Sequence, residues 1–336
     1  MTPYPWHRAA LERLLADRTR LPHALLVQGR SGIGKSEFAK ALANAVLCES
    51  PKGAFACGTC SSCHWFSQGN HPDYREVIPE AAEEDAEGEA ETAKADTKKS
   101  VVIKIDQIRA QADFISLSTH RAGLRVLVIR PAEAMHPGAA NALLKTLEEP
   151  PPSTLIVLVS DQPARLLPTI RSRCRALVLP MPVEAEALAW LKAEGVEDPR
   201  TALAVAGGAP LLARDLAAPE EMQLRRKVLA ELSRASGAEP LTFAERIDRP
   251  ALDRTVYWMQ TWVHDLMRVR AGASVRHHVD LVPAAQAKAR AADPERLYDL
   301  ERELRAARRL ASHPLNARLL AEHLLMSYNR ATSGTR

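Results

Sequence analysis

The sequence predicts an α/β fold, a parallel β-sheet covered by helices on both faces, followed by an all-α region. Three observations predict it. The segment Gly29-Arg30-Ser31-Gly32-Ile33-Gly34-Lys35-Ser36 fits G-x-x-x-x-G-K-[ST] at each fixed position and lies between an apolar run and an amphipathic helix. Short leucine or β-branched runs alternate with helical segments as far as Leu179. Beyond Pro182 the strand signals vanish and helical periodicity takes over.

Taken in order, Ala24–Gln28 reads as the strand that enters the glycine loop, and Glu37–Leu47 as the helix that leaves it, with Phe38, Leu42 and Val46 on one face. A cysteine-rich insertion follows at Cys48–Cys63, then a short strand at Tyr74–Ile78. Glu80–Lys99 carries eight acidic residues and three Lys with almost no apolar bulk. Such a tract buries too little surface to offset its ordering entropy, so a disordered loop is expected there. Val102–Leu117 reads as one helix, and Val126–Ile129 and Leu155–Val159 as core strands. Between those strands Ala139–Glu149 is a helix stopped by Pro150-Pro151-Pro152, and Ala176–Leu179 is a last strand. Short helices follow at Glu184–Ala193, Arg200–Ala206 and Ala209–Leu216, around Gly207-Gly208. From about Glu220 the helices lengthen. Leu252, Val256, Met259, Val263 and Leu266 share one face, as do Leu297, Leu300, Leu304 and Ala307, and Leu315–Tyr328 closes the series.

A length of 336 residues suits two or three domains. Hydrophobic residues at 46% and charged residues at 26% are ordinary for a soluble globular protein, and aromatics at 4% suggest cores of Leu, Val and Ala. The net charge of +4 is too weak to argue for nucleic-acid binding as the main activity. No apolar run approaches the ~18 residues of a membrane span, and the N-terminus has no apolar signal core, so a cytoplasmic protein without a membrane partner is expected. Basic residues Arg302, Arg305, Arg308 and Arg309 suit a solvated face or subunit contacts.

The glycines at 29, 32 and 34 let backbone N–H groups turn inward to cradle phosphates at a helix N-terminus. Lys35 is placed to reach the β- and γ-phosphates, and Ser36 to ligate Mg²⁺. Hydrolysis also needs an acidic residue at the end of a neighbouring strand to hold the metal, and a carboxylate to activate water. Here the strand Val126–Ile129 ends in Arg130-Pro131. A permanently charged guanidinium repels a metal and proline offers no base, so Mg²⁺ is poorly held. Glu133, two residues on, reads as a surface loop carboxylate.

Cys48, Cys57, Cys60 and Cys63 follow C-x8-C-x2-C-x2-C. In a reducing compartment clustered cysteines are read first as metal ligands, and four thiolates close a tetrahedral, structural Zn²⁺ site. An iron–sulfur cluster and a redox pair are the competing chemistries, and His64 is a competing ligand. Cys174, far away in sequence, is expected to be buried.

Several of these segments together resemble the delta-prime subunits of the bacterial DNA polymerase III clamp loader, a family within the AAA+ superfamily. They are Tyr4-Pro5-Trp6, His23-Ala24-Leu25-Leu26, the four-cysteine module, His71-Pro72-Asp73-Tyr74, and above all Asn141-Ala142-Leu143-Leu144-Lys145-Thr146-Leu147-Glu148-Glu149-Pro150-Pro151 and Ser172-Arg173-Cys174. The resemblance implies a RecA-like P-loop nucleotide domain over 1–180, with a zinc module at 48–63 and the acidic insertion at about 80–100. It further implies a helical lid over 181–220 and a helical collar for oligomerisation over 221–332. It implies partners: the gamma/tau motor subunits and the delta subunit, and through the complex the sliding clamp and primed DNA. Arg173 is implied to be an arginine finger that reaches the ATP site of a neighbouring motor subunit, although Arg171 and Arg175 flank it. As a subunit of DNA polymerase III holoenzyme, the chain is then expected to lack catalysis of its own.

Two departures separate it from motor subunits. Arg130-Pro131 stands where they have Asp-Glu, and Pro210, after Gly207-Gly208, stands where they have a sensing arginine. Ser160 keeps a hydroxyl at the first sensor position. Several relatives have lost the phosphate loop and this chain has not, which leaves ATP or ADP binding without hydrolysis open. The competing readings are an active AAA+ motor subunit, against which Arg130-Pro131 argues, and a zinc-bearing nucleic-acid module, against which the weak charge argues.

Overall fold

The computed structural model describes residues 2–82, 100–116, 123–234, 237–247, 249–310 and 316–333. Most of the acidic tract expected to be disordered, residues 83–99, lies outside the described residues. The chain divides into two compact units, Met1–Val183 and Glu184–Arg336.

The first unit is built on five parallel strands: β1 (Ala24–Gln28), β2 (Tyr74–Val77), β3 (Arg125–Ile129), β4 (Thr154–Ser160) and β5 (Arg175–Val178). Their spatial order is β2-β3-β4-β1-β5. Every residue of β3 and β4 is buried, as expected of central parallel strands whose two faces both meet helices. Register pairs Gln28 with Ser160, so the glycine loop begins level with the last residue of β4. That places the loop at the carboxyl end of the sheet, where open α/β sheets bind ligands. The strands match the sequence expectation to within a residue at most ends. The helix after the loop runs Lys35–Leu47, and the motif helix runs Pro137–Glu148 before the prolines stop it.

One expectation fails. Val102–Leu117 is not a single helix, but two short ones, Ile105–Arg109 and Gln111–Ser116. Ile103 is instead extended and bridges Met135 in parallel. Its N–H donates to the Ala134 carbonyl at 2.9 Å, and its carbonyl accepts from His136 N at 3.0 Å. Ile103 is fully buried by this pairing, which outweighs the helical propensity of the segment.

Among the described residues the second unit is helical: Glu184–Ala193, Pro199–Val205, Pro210–Leu216, Pro219–Ser233, Pro240–Ala244, Arg249–Arg270, Val282–Ala291, Pro294–Leu310 and Ala317–Thr332. Proline opens Pro199–Val205, Pro210–Leu216, Pro219–Ser233 and Pro240–Ala244, where its missing N–H costs no helical bond. Both predicted apolar faces are buried, and one core runs from Ala187 to Ala331. Its centre is not purely aliphatic. Trp258, Trp262 and Tyr328 are the largest fully buried side chains, and Trp262 Nε1 donates to Tyr328 Oη at 3.0 Å. Each of the three removes a large area from water. The polar tips of Trp262 and Tyr328 are partnered, Tyr328 Oη donating to the Leu232 carbonyl, whereas Trp258 Nε1 is buried without a hydrogen-bond partner.

Candidate functional site

Strand β1 delivers the chain to Gly29, and the loop turns into the helix at Lys35. Gly32 and Gly34 have φ of 77° and 90°, values that an L side chain rarely adopts. A Cβ at Gly34 would also lie 2.5 Å from Tyr4 Cδ2. Tyr4 reaches this position because Tyr4 and Trp6 stack with centroids 5.0 Å apart, while Trp6 Nε1 donates to the Ile33 carbonyl at 2.9 Å. His7 is fully buried edge-on against Phe38. Burial, with the Lys35 ammonium nearby, pushes its pKa down to about 4. The N-terminal segment therefore braces the loop from residue 4 to residue 7, a role the sequence does not announce. Residues Gly29 to Ser36 form one continuous turn from strand to helix, with Ile33, Gly34 and Lys35 buried in it.

Lys35 is only 4% exposed. Its Nζ donates to the Arg30 carbonyl at 2.6 Å and forms an ion pair with Asp161, which directly follows β4. Glu133 fixes the backbone of that turn: its Oε1 accepts from Asp161 N at 2.9 Å and from Gln162 N at 3.1 Å. Glu133 is thus not a loose surface carboxylate; it braces the β4 turn. Ser160 is fully buried, and its Oγ accepts from Gln162 N at 3.2 Å, so its hydroxyl serves the same turn. Arg130, at the end of β3, pairs with Glu76 of β2, and Lys40 of the loop helix reaches the other oxygen of Glu76 at 3.3 Å. The strand end that would carry a metal-binding carboxylate carries a cation instead. The nearby carboxylate is taken up by two cations.

The four cysteines converge. All four sulfur atoms lie within 4.8 Å of one another, with Cys48 to Cys60 at 3.8 Å and Cys57 to Cys63 at 3.9 Å. A tetrahedral site with Zn–S bonds of about 2.3 Å requires S···S separations of about 3.8 Å, so the residues fit that metal. Backbone N–H groups already point at sulfur: Cys57 N to Cys48 Sγ at 3.2 Å, Cys60 N to Cys57 Sγ at 3.3 Å, and Cys63 N to Cys60 Sγ at 3.4 Å. The Thr59 N–H and hydroxyl, followed by the Cys60 N–H, pull the Cys57 pKa down to about 5, whereas burial pushes the Cys63 thiol up to about 12. A bound cation would displace the protons of the buried thiols. His64 is exposed and stands outside the cluster. Cys174 is buried in the sheet unit's core, and burial raises its thiol to about 11.

Arg173 follows the short helix Pro168–Arg171 and is about one-third exposed. Its guanidinium pairs with Glu148 at 2.6 Å and donates to the Thr169 carbonyl at 3.0 Å. Glu148 is the last residue of the motif helix, so the two most specific sequence motifs meet at this pair. The sequence alone does not mark Asp161, Glu133 and Glu148 as site residues; Asp161 has one signal, its place directly after Ser160 at the first sensor position.

A second close group, His264, Asp265 and His277, lies in the helical unit. Asp265 accepts from the N–H groups of Arg276 at 2.9 Å, His277 at 3.0 Å and His278 at 2.8 Å. Its oxygens are spent on pinning that loop.

With this geometry in view, the comparisons with known proteins are consistent across the chain. Residues 8–182 match the family model "DNA polymerase III, delta subunit", and residues 219–330 match "DNA polymerase III, delta subunit, C terminal". DNA polymerase III subunit delta' of Pseudomonas aeruginosa is 36% identical over 273 residues, covering 79% of this chain and 77% of the relative. The Escherichia coli subunit delta' is 30% identical over 300 residues, covering 88% and 85%. That of Yersinia pestis is 30% identical over 347 residues, covering 99% and 97%. The chain belongs to the delta-prime subunit family of the bacterial DNA polymerase III clamp loader.

Proposed function

We propose that this chain is the non-motor subunit of the clamp loader and that it serves catalysis in a neighbour's site through Arg173. The observation that carries the reading is the contrast between two arginines. Arg130 occupies the place of a metal-binding carboxylate and is tied to Glu76 inside the fold. Arg173 stands at the surface, held by a half-exposed Glu148. An exposed ion pair of that kind is worth about 0–1 kcal/mol. A triphosphate in a partner's site offers far more negative charge and can draw the guanidinium away. Arginine placed at a developing γ-phosphate charge is a strong electrostatic catalyst.

In this reading residues Gly29 to Ser36 hold ATP or ADP without hydrolysing it. Cys48, Cys57, Cys60 and Cys63 hold a structural Zn²⁺. Residues 181–220 act as a lid and 221–332 as an oligomerising collar, with the gamma/tau motor and delta subunits as partners in the cytoplasm. The assembly loads the sliding clamp on primed DNA. The active-motor alternative loses its support at Arg130-Pro131.

The test is reconstitution with motor and delta subunits. Arg173→Ala should leave assembly intact and lower DNA-dependent ATPase activity several-fold. An arginine finger is worth about 10³–10⁵ at its own site, while the other sites keep turning over. Unchanged ATPase activity in an intact complex would remove the role of Arg173.

A further inference from the structure

The carboxylate that holds Lys35 bears on which nucleotide the loop can accept. We infer that Asp161 is a built-in counter-ion standing in for a γ-phosphate, so that the loop selects nucleoside diphosphates over triphosphates. This rests on the reading that Gly29 to Ser36 bind nucleotide.

The lysine of such a loop normally meets the β- and γ-phosphates. Here its ammonium is almost wholly buried, and its donors already go to the Arg30 carbonyl and to Asp161. Asp161 follows Ser160, the residue paired with Gln28 at the carboxyl edge of the sheet. Its carboxylate therefore approaches Lys35 from the strand ends, the side on which the terminal phosphate of a triphosphate lies. The carboxylate is not free to swing away with its loop, because Glu133 holds the N–H groups of both Asp161 and Gln162.

A diphosphate seated on the loop's backbone N–H groups leaves the Lys35–Asp161 pair in place. A γ-phosphate must take the ammonium from Asp161 and then sit beside a carboxylate of like charge. Motor sites offset that charge with Mg²⁺ held by a strand-end carboxylate, and here Arg130 occupies the strand end and is committed to Glu76. Triphosphate thus loses its usual cation and gains a repulsive neighbour. Diphosphate loses neither.

The experiment is calorimetric titration of the full chain with ADP and with ATP, each with and without Mg²⁺, for the unmodified protein, Asp161→Asn and Lys35→Ala. Asp161→Asn keeps an oxygen acceptor for Lys35 and removes the charge; at 37% exposure the position should tolerate it, and a thermal melt checks folding. The unmodified chain should bind ADP at least tenfold tighter than ATP. Asp161→Asn should tighten ATP at least tenfold while changing ADP less than threefold, and Lys35→Ala, which leaves the Asp161 carboxylate uncompensated beside the loop, should weaken both at least tenfold. ATP binding that appears only in Asp161→Asn also supports the inference. Equal affinities in the unmodified chain, or an ADP-to-ATP ratio unmoved by a folded Asp161→Asn, overturn it while leaving nucleotide binding intact. No binding of either nucleotide by the unmodified chain or by Asp161→Asn overturns the nucleotide-binding reading as well.

Discussion

His278 is fully buried in the helical unit, and its two ring nitrogens have different partners. Nδ1 lies 3.2 Å from Arg225 Nη2, a group that only donates, so Nδ1 accepts and the proton sits on Nε2, 3.1 Å from Thr261 Oγ1. Arg225 is itself bound to Asp280 by two contacts at 2.6 and 2.9 Å. Protonating Nδ1 would break its bond and set two cations face to face. Burial first, and then Arg225, push the His278 pKa down to about 3 against an ordinary 6.5. The unfolded chain therefore binds this proton below pH 6.5 while the folded chain does not, and stability falls as pH drops from 6.5 towards 3. The slope is at most about 1.4 kcal/mol per pH unit for this group. The melting temperature should fall by several degrees between pH 7 and pH 5, and His278→Gln should melt lower at pH 7 but with a shallower dependence. An identical slope in that variant would show that other groups carry the acid sensitivity. Asp265 acts in a lower window. Burial raises its pKa, but the His277 ring and the N–H groups of His278, Arg276 and His277 outweigh burial and bring it to about 2, so its contribution is lost only below 3.8.

At the scale of elements, the cysteine module is tied to its neighbours by a short relay. Ser62 Oγ donates to the Leu47 carbonyl at 2.6 Å, at the end of the loop helix, and lies 2.9 Å from His71 Nε2. His71 Nδ1 accepts from Asp73 N at 3.0 Å, so Nε2 carries the proton and donates to Ser62. The module thus joins the end of the loop helix to the start of β2. Metal binding in such a site is folding free energy, so its removal should be felt locally and sharply. Purified, unchelated protein should contain about one zinc per chain. Strong chelation or Cys60→Ser should lower the melting temperature and open residues 48–67 to protease before the sheet is cut. Fresh protein without zinc would sink the assignment. Local patterns made the strands, the loop helix and this cluster legible, because spacing alone determines which residues can meet. Pairings between distant segments were not legible. Ile103 reads as helix until Met135 is placed beside it, and nothing near Trp262 in the sequence points to the hydroxyl of Tyr328 that its Nε1 meets, 66 residues on. Glu133, Glu148 and Asp161 are ordinary acidic residues in the sequence; each gains its role from a partner brought up by the sheet.

For the whole molecule, the question is whether an intact phosphate loop makes the chain an ATPase. The loop has its glycines, its lysine and its serine, and the N-terminal segment Tyr4 to His7 holds it in shape. Hydrolysis, however, depends on charges outside the loop. At the end of β3 there is Arg130 followed by proline, and Glu76 on the neighbouring strand is shared between Arg130 and Lys40. Glu133 Oε1 and Ser160 Oγ are both committed to the β4 turn, and the end of β3 offers no carboxylate to seat the metal that hydrolysis needs. The isolated chain should therefore show no ATP turnover above a Lys35→Ala control, at any Mg²⁺ concentration. Arg130→Asp alone should not restore turnover, since it supplies a metal ligand but no base and releases Glu76 from only one of its two cations. Lys35-dependent hydrolysis by the isolated, unmodified chain would mean that the missing carboxylate is supplied from elsewhere in the fold, and the division of labour drawn between Arg130 and Arg173 would fail with it.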